Sequence, residues 1–174
     1  MNRKLTRFIP GLGSILIVAG LSGAALDVCA DVDFKMQIHP QETQGTWALA
    51  NDKYKEAVVR LEIERARSGP RARTWPAILS NLCVAYAKVG DYEHATGYCD
   101  QAVDDAPKSG IALNNRGVLA ALQGDFIAAA ADFEAARQRE GSAEFAAHNI
   151  QRLGEQVSEY RGDTPTDSVA DAIS

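Results

Sequence analysis

The chain has 174 residues, with 18 Lys+Arg against 23 Asp+Glu and a net charge of −5. That acidic balance argues against a surface that holds nucleic acid through phosphate contacts. The length suits one domain with a real core.

Residues 1–30 read as a secretory signal. Arg3, Lys4 and Arg7 make a basic start, residues 15–25 (ILIVAGLSGAA) an apolar core, and Val28-Cys29-Ala30 a cleavage site ahead of Asp31. The alternative is an inner-membrane anchor through an uncleaved N-terminus. Phe8 to Ala25 gives only about eighteen residues, broken by Pro10, Gly11 and Gly13, which is marginal for a span. Asp27 and Val28 ahead of Cys29 do not fit lipoprotein processing. The expected location is therefore periplasmic or secreted. Three of the basic residues and one acidic residue lie in 1–30, so the mature chain carries 15 against 22, a net −7. Two cysteines remain, an even number in an oxidising compartment.

Residues 31–44 are a lead-in to which no element is assigned. Trp47 to Ile63 then reads as helical-hairpin material, with a weak leading helix interrupted by Gly45 and Thr46. The loop at 68–74 (SGPRART) follows. Beyond it, a shift of thirty-four residues lays Leu79 on Leu113, Asn81 on Asn115, Val84 on Val118 and Ala87 on Ala121. Gly90-Asp91 likewise falls on Gly124-Asp125, Ala95 on Ala129 and Ala102 on Ala136. Leu79, Leu82, Tyr86 and Val89 share one helix face. Gly90 closes that helix in the left-handed conformation. Asp91 then caps the next, whose apolar stripe is Tyr92, Ala95, Cys99, Ala102 and Val103. Ala146, Ile150, Leu153 and Val157 make a last, polar-backed capping helix. The tail 161–174 is small and polar and is expected to be disordered; its Arg-Gly-Asp triplet is read as chance.

The run Asn81-Leu82, Tyr86, Gly90, Ala95, Ala102, Pro107 resembles a tetratricopeptide repeat, as does Asn115, Gly117, Gly124, Ala129, Phe133, Ala136. An upstream unit is partial: Tyr54, Ala57 and Leu61 match Tyr92, Ala95 and Cys99 at an offset of thirty-eight. The resemblance covers about residues 45–140. It implies an all-α fold, a short α-solenoid of two clear and one degenerate helix-turn-helix repeats, with the capping helix completing a domain over 45–160.

Cys83 and Cys99 stand equally far from Asp91, so they sit at one height in a helical hairpin. Helices packed about 8–10 Å apart bring facing Cα atoms to about 4–6 Å, within reach of a disulfide. A structural disulfide is the expectation, with two buried free thiols as the alternative. A zinc site lacks two further ligands, and a catalytic redox pair normally has an exposed Cys-x-x-Cys.

His39, His94 and His148 are scattered, and none has a partner spaced for nucleophile chemistry. Asp100, Asp104 and Asp105 read as the solvated back of a helix. The chain is expected not to be an enzyme and to need no cofactor or metal. The resemblance implies instead that a partner segment lies along the concave side, lined by the first helix of each unit. The candidate groove residues are Ser80, Val84, Ala87, Lys88, Asn114, Val118, Ala121 and Leu122. Asn81 and Asn115 resemble part of the carboxylate clamp of some family members, but Ser80 and Val84 stand where that clamp needs charge. The expected function is an exported adaptor or scaffold for a protein or peptide partner in the cell envelope. It would touch neither nucleic acid nor, once the signal is removed, the membrane. The alternative is a structural accessory subunit of an envelope assembly.

Overall fold

The computed structural model describes residues 33–161 of the chain. The expected signal segment lies outside them, as does all of the expected tail but Arg161. The described residues form seven helices and no strand: α1 (Thr46–Ala50), α2 (Tyr54–Ser68), α3 (Trp75–Lys88), α4 (Tyr92–Asp105), α5 (Gly110–Leu122), α6 (Phe126–Arg137) and α7 (Ala143–Arg161). Among them no helix is long and apolar enough to cross a membrane.

Short-range chemistry sets these boundaries. Gly90 (φ 80°) and Gly124 (φ 83°) take the left-handed conformation that ends α3 and α5. The next amide in each case reaches back five residues, Asp91 N–H to the Tyr86 carbonyl at 3.0 Å and Asp125 N–H to that of Ala120 at 2.9 Å. The same aspartates then start the following helices. Asp91 Oδ1 accepts the His94 N–H at 3.2 Å and Asp125 Oδ1 that of Ala128 at 3.0 Å. Ser109 caps α5 in the same way, and Pro76 sits in the first turn of α3, where its missing N–H costs nothing.

Consecutive helices pack on each other throughout. The odd-numbered ones also touch in series, α1 on α3, α3 on α5 and α5 on α7, whereas α2, α4 and α6 make no such close approach to one another. The odd helices therefore crowd along one side, which makes theirs the inner face of the packed layer.

Two seams hold the central helices together. Between α3 and α4, Cys83 and Cys99 are bonded (S–S 2.06 Å, Cα–Cα 4.9 Å) and buried among Ala87, Ala95 and Leu119. Thirty-four residues on, the α5–α6 seam holds Gly117 and Phe133 in the matching places. A Cβ on Gly117 would lie 2.7 Å from Phe133 Cε1, so the glycine makes room for the fully buried ring. A covalent link in one seam is replaced by a large-and-small pair in the next.

The first hairpin is shorter than the rest. α1 has five residues, and Gly45 ahead of it is pressed against Leu61, whose side chain leaves no room for a Cβ. Its turn is tied down by a 2.8 Å bond from the Thr43 N–H to Thr46 Oγ1 and a 2.7 Å bond from the Gln44 N–H to Glu64 Oε2. At the other end, α7 closes the packing with Ala146 and Leu153 buried.

Candidate functional site

The inner face is occupied by the chain's own lead-in. Residues 33–39 carry apolar side chains at 34, 36 and 38 and polar ones between, the two-residue period of an extended segment. Phe34 is buried with Val118, Phe133 and Leu153, its ring 6.1 Å from that of Phe133. Met36 packs against three of the core clusters, and Ile38 against the one formed by α1, α2 and α3. The segment crosses α7, α5 and α3 in turn, opposite to their chain order.

Asparagines hold its backbone at every second residue. Asn149 on α7 accepts the Lys35 N–H at 2.8 Å and donates to the Lys35 carbonyl at 3.0 Å. Asn115 on α5 accepts the Gln37 N–H at 2.7 Å and donates to the Gln37 carbonyl at 2.8 Å. Asn81 on α3 accepts the His39 N–H at 2.8 Å and sends its own amide to Thr43 Oγ1 at 3.2 Å. Asn114 adds a 2.9 Å bond to the Lys35 carbonyl and accepts one from Asn149 at 2.8 Å. A side-chain amide carries the same donor and acceptor as a peptide group. The ladder therefore pairs with the segment much as a neighbouring strand would, without reading its side chains.

All four asparagines are fully buried, and the pair of bonds from Asn115 to Gln37 is buried with them, so those two backbone groups have no water to fall back on. Asn115→Ala leaves both the Gln37 N–H and carbonyl unpaired and is expected to cost about 2 kcal/mol by urea denaturation. Lys35→Ala is the control. That side chain is exposed and only its backbone is bonded, so its effect should stay within about 0.5 kcal/mol.

Three further contacts bear on the segment. His148 Nε2 lies 2.9 Å from the Asp33 carbonyl. Gln37 donates from Nε2 to the Gly141 carbonyl at 3.0 Å, while its Oε1 is buried with no hydrogen-bond partner. His39 is partly buried, which lowers its ring's affinity for a proton.

The candidate groove residues divide. Ser80 and Asn114 stand in the ladder, Ser80 Oγ accepting from Asn115 Nδ2 at 3.4 Å. Val118 and Ala121 belong to the cluster that receives Phe34, with Leu122 packed at its edge. Val84 and Ala87 are buried in clusters against which Met36 packs, and Lys88 is exposed. Asn81 and Asn115 act on backbone amides here rather than on a carboxylate. Asn149 was not anticipated, although it continues their spacing: positions 81, 115 and 149 are each thirty-four apart.

A second constellation spans α2, α3 and α4. Glu62 Oε1 accepts the hydroxyls of Tyr98 (2.5 Å) and Tyr86 (3.1 Å), and its Oε2 accepts Arg65 Nε at 2.8 Å. Tyr86 stacks between Tyr98 and His94, with centroids 5.5 and 5.0 Å away. Burial alone would raise the Glu62 pKa, but bonds from Tyr98, Arg65 and Tyr86 outweigh it and hold the group below its ordinary 4.5. Burial and the Glu62 bond push Tyr86 up to about 12, and Tyr98 moves further the same way. A depressed folded pKa means stability that is present above 4.5 and lost as pH falls through the lowered value. Glu62→Gln is therefore expected to lower the urea midpoint at neutral pH. The gap from wild type should close only as pH falls through the lowered folded value, below which the carboxyl is protonated in both states. This cluster locks three helices together.

A cleft of 410 Å³ between α4, α5 and α6 is lined by Thr96, Asp100, Arg116, Gln123 and Asp132 among others. Its charges are matched internally: Arg116 grips Asp132 through two bonds of 2.7 and 2.8 Å and lies 3.7 Å from Asp100. Compared with protein-family models and with the curated proteins, the chain matches none.

Proposed function

We propose that this chain is an exported interaction module of the tetratricopeptide type, a short helical solenoid whose inner face binds an extended segment of a protein partner in the cell envelope. One observation carries the reading: asparagines at thirty-four-residue intervals pair with the backbone of every second residue of an extended segment. Such a device suits polypeptide, since each amide matches a peptide unit and the gaps between helices take alternate side chains. The recurrence of Gly-Asp turns and the serial contact of the odd helices support a repeat solenoid. Export is supported by the basic-then-apolar N-terminus and by the pairing of the two mature-chain cysteines. No chemistry is assigned to the module; its task is to hold and present.

The alternative, a structural accessory of an envelope assembly, is favoured by a different observation. The groove is filled by Phe34, Met36 and Ile38, while Val59 and Ile63 on α2 and Ile127 on α6 are exposed. In that case the outer surface would do the binding. Photo-crosslinking in intact cells separates the two, with the reactive residue placed at 35 or 148 on the inner side, or at 59 or 127 on the outer. The module reading expects adducts with another protein from positions 35 and 148. Adducts from 59 and 127 alone would replace it with the accessory reading.

A further inference from the structure

Resting on the reading of the inner face as a binding surface, we infer that residues 33–39 are a resident stand-in for the ligand. The partner is then an extended segment with large apolar side chains at alternate positions, i, i+2 and i+4, and it enters by displacing them. Four features of the segment lead there.

Its recognition is general where it is strongest. Within residues 33–39, Asn149, Asn115 and Asn81 bond backbone groups and no side chain, so any extended chain without proline at those positions satisfies them equally. Selectivity comes from the sites of Phe34, Met36 and Ile38, which ask only for apolar volume.

The resident fits imperfectly. Gln37 buries Oε1 without a partner, and a buried acceptor left unpaired is destabilising. A side chain at that place with no orphan acceptor removes the defect. A partner therefore has something to gain over the segment it replaces.

The segment can leave without unfolding the helices. Anchorage resumes at Thr43 and Gln44, while residues 40–42 between the two tethered stretches are held by one 3.2 Å bond, Gln41 N–H to His39 Nδ1. Pro40 and Glu42 are exposed. A hinge there lets 33–39 swing out with α1 and α2 in place.

Covalent attachment finally sets the rank of the competitors. A tethered segment acts at high effective concentration, so an outside ligand sees its affinity reduced by the fraction of time the groove stands open. Weakening the resident should raise apparent affinity without adding a contact.

The test uses the full mature chain and a fluorescent, acetylated peptide of residues 33–43 (DFKMQIHPQET) as the probe. Two variants weaken the resident by different means. Phe34→Ser with Met36→Ser empties two apolar sites, and Lys35→Pro removes the N–H given to Asn149 while keeping all three apolar side chains. Circular dichroism verifies the helices in each. Both variants are expected to bind the probe at least about tenfold more tightly than wild type. A probe with serine at its three apolar positions should fail to compete. Folded variants that bind no more tightly than wild type would overturn the displacement, as would equal binding of the serine probe. Groove crosslinks in cells alongside such a result would leave the module reading standing, whereas absence of both would remove that as well.

Discussion

Phe133→Ala is expected to destabilise the protein by about 3–5 kcal/mol, near the top of the range for a large-to-small core change. The ring is fully buried, and its neighbour across the seam is Gly117, which has no side chain to relax into the space. It also supports Phe34 at 6.1 Å, so the lead-in loses its deepest contact at the same time. For a domain of this size the thermal midpoint should fall by more than about 10 °C. Phe133→Leu keeps most of the volume and is expected to cost less than half as much. Thermal and urea melts of the pair decide the matter. Equal, small losses would mean that the α5–α6 seam is not held by this ring.

The corresponding seam between α3 and α4 gives the second large effect. Removing the Cys83–Cys99 bond by Cys83→Ala with Cys99→Ala should cost about 3 kcal/mol in the chain-entropy account, because the bond closes a short loop in the unfolded chain. Both sulfurs lie in the core, so reductant in native buffer should act no faster than the protein unfolds. The measurement is a urea titration of wild type with and without reductant, beside the double variant. Reduced wild type and the variant should share a lowered midpoint. A double variant that keeps the wild-type midpoint would show that the bond adds nothing to the native state.

Much of this architecture is legible in the sequence because it is local. Gly90 and Gly124 need the left-handed conformation, Asp91 and Asp125 cap the helices after them, and two cysteines equidistant from one turn meet across it. Each of these follows from residues a few positions apart, or from the height rule of a hairpin. The lead-in did not yield in the same way. Its alternation at 34, 36 and 38 was visible, but its partners stand 42, 78 and 114 residues away. An extended segment has no periodic partner within itself, so nothing local assigns it a place.

The groove itself was half visible for a related reason. A 3.6-residue period marks which face of α3 or α5 is apolar, but not whether that face meets a neighbouring helix or an open channel. Val84, Ala87 and Val118 each lie in a core cluster that holds helix residues and is also packed by the lead-in, through Met36 for the first two and Phe34 for the third. Asn149 was obscured because α7 keeps little else of the recurrence: Arg152 stands where Val118 would repeat and Glu155 where Ala121 would. The asparagine there bonds both backbone groups of Lys35. A polar residue recurring at a buried inner position, in helices that otherwise differ, was the available signal.

The central claim is that asparagines spaced one repeat apart hold an extended chain along the inner face. Amide hydrogen exchange by NMR tests it residue by residue. The amides of Lys35, Gln37 and His39, given to Asn149, Asn115 and Asn81, should exchange at least about a hundredfold more slowly than coil rates. Those of Phe34, Met36 and Ile38, which no asparagine reaches, should exchange fast, producing alternation along a segment with no helix or strand of its own. Uniform coil-like exchange across 34–39 would contradict the claim, because it would mean that the segment does not rest on the ladder.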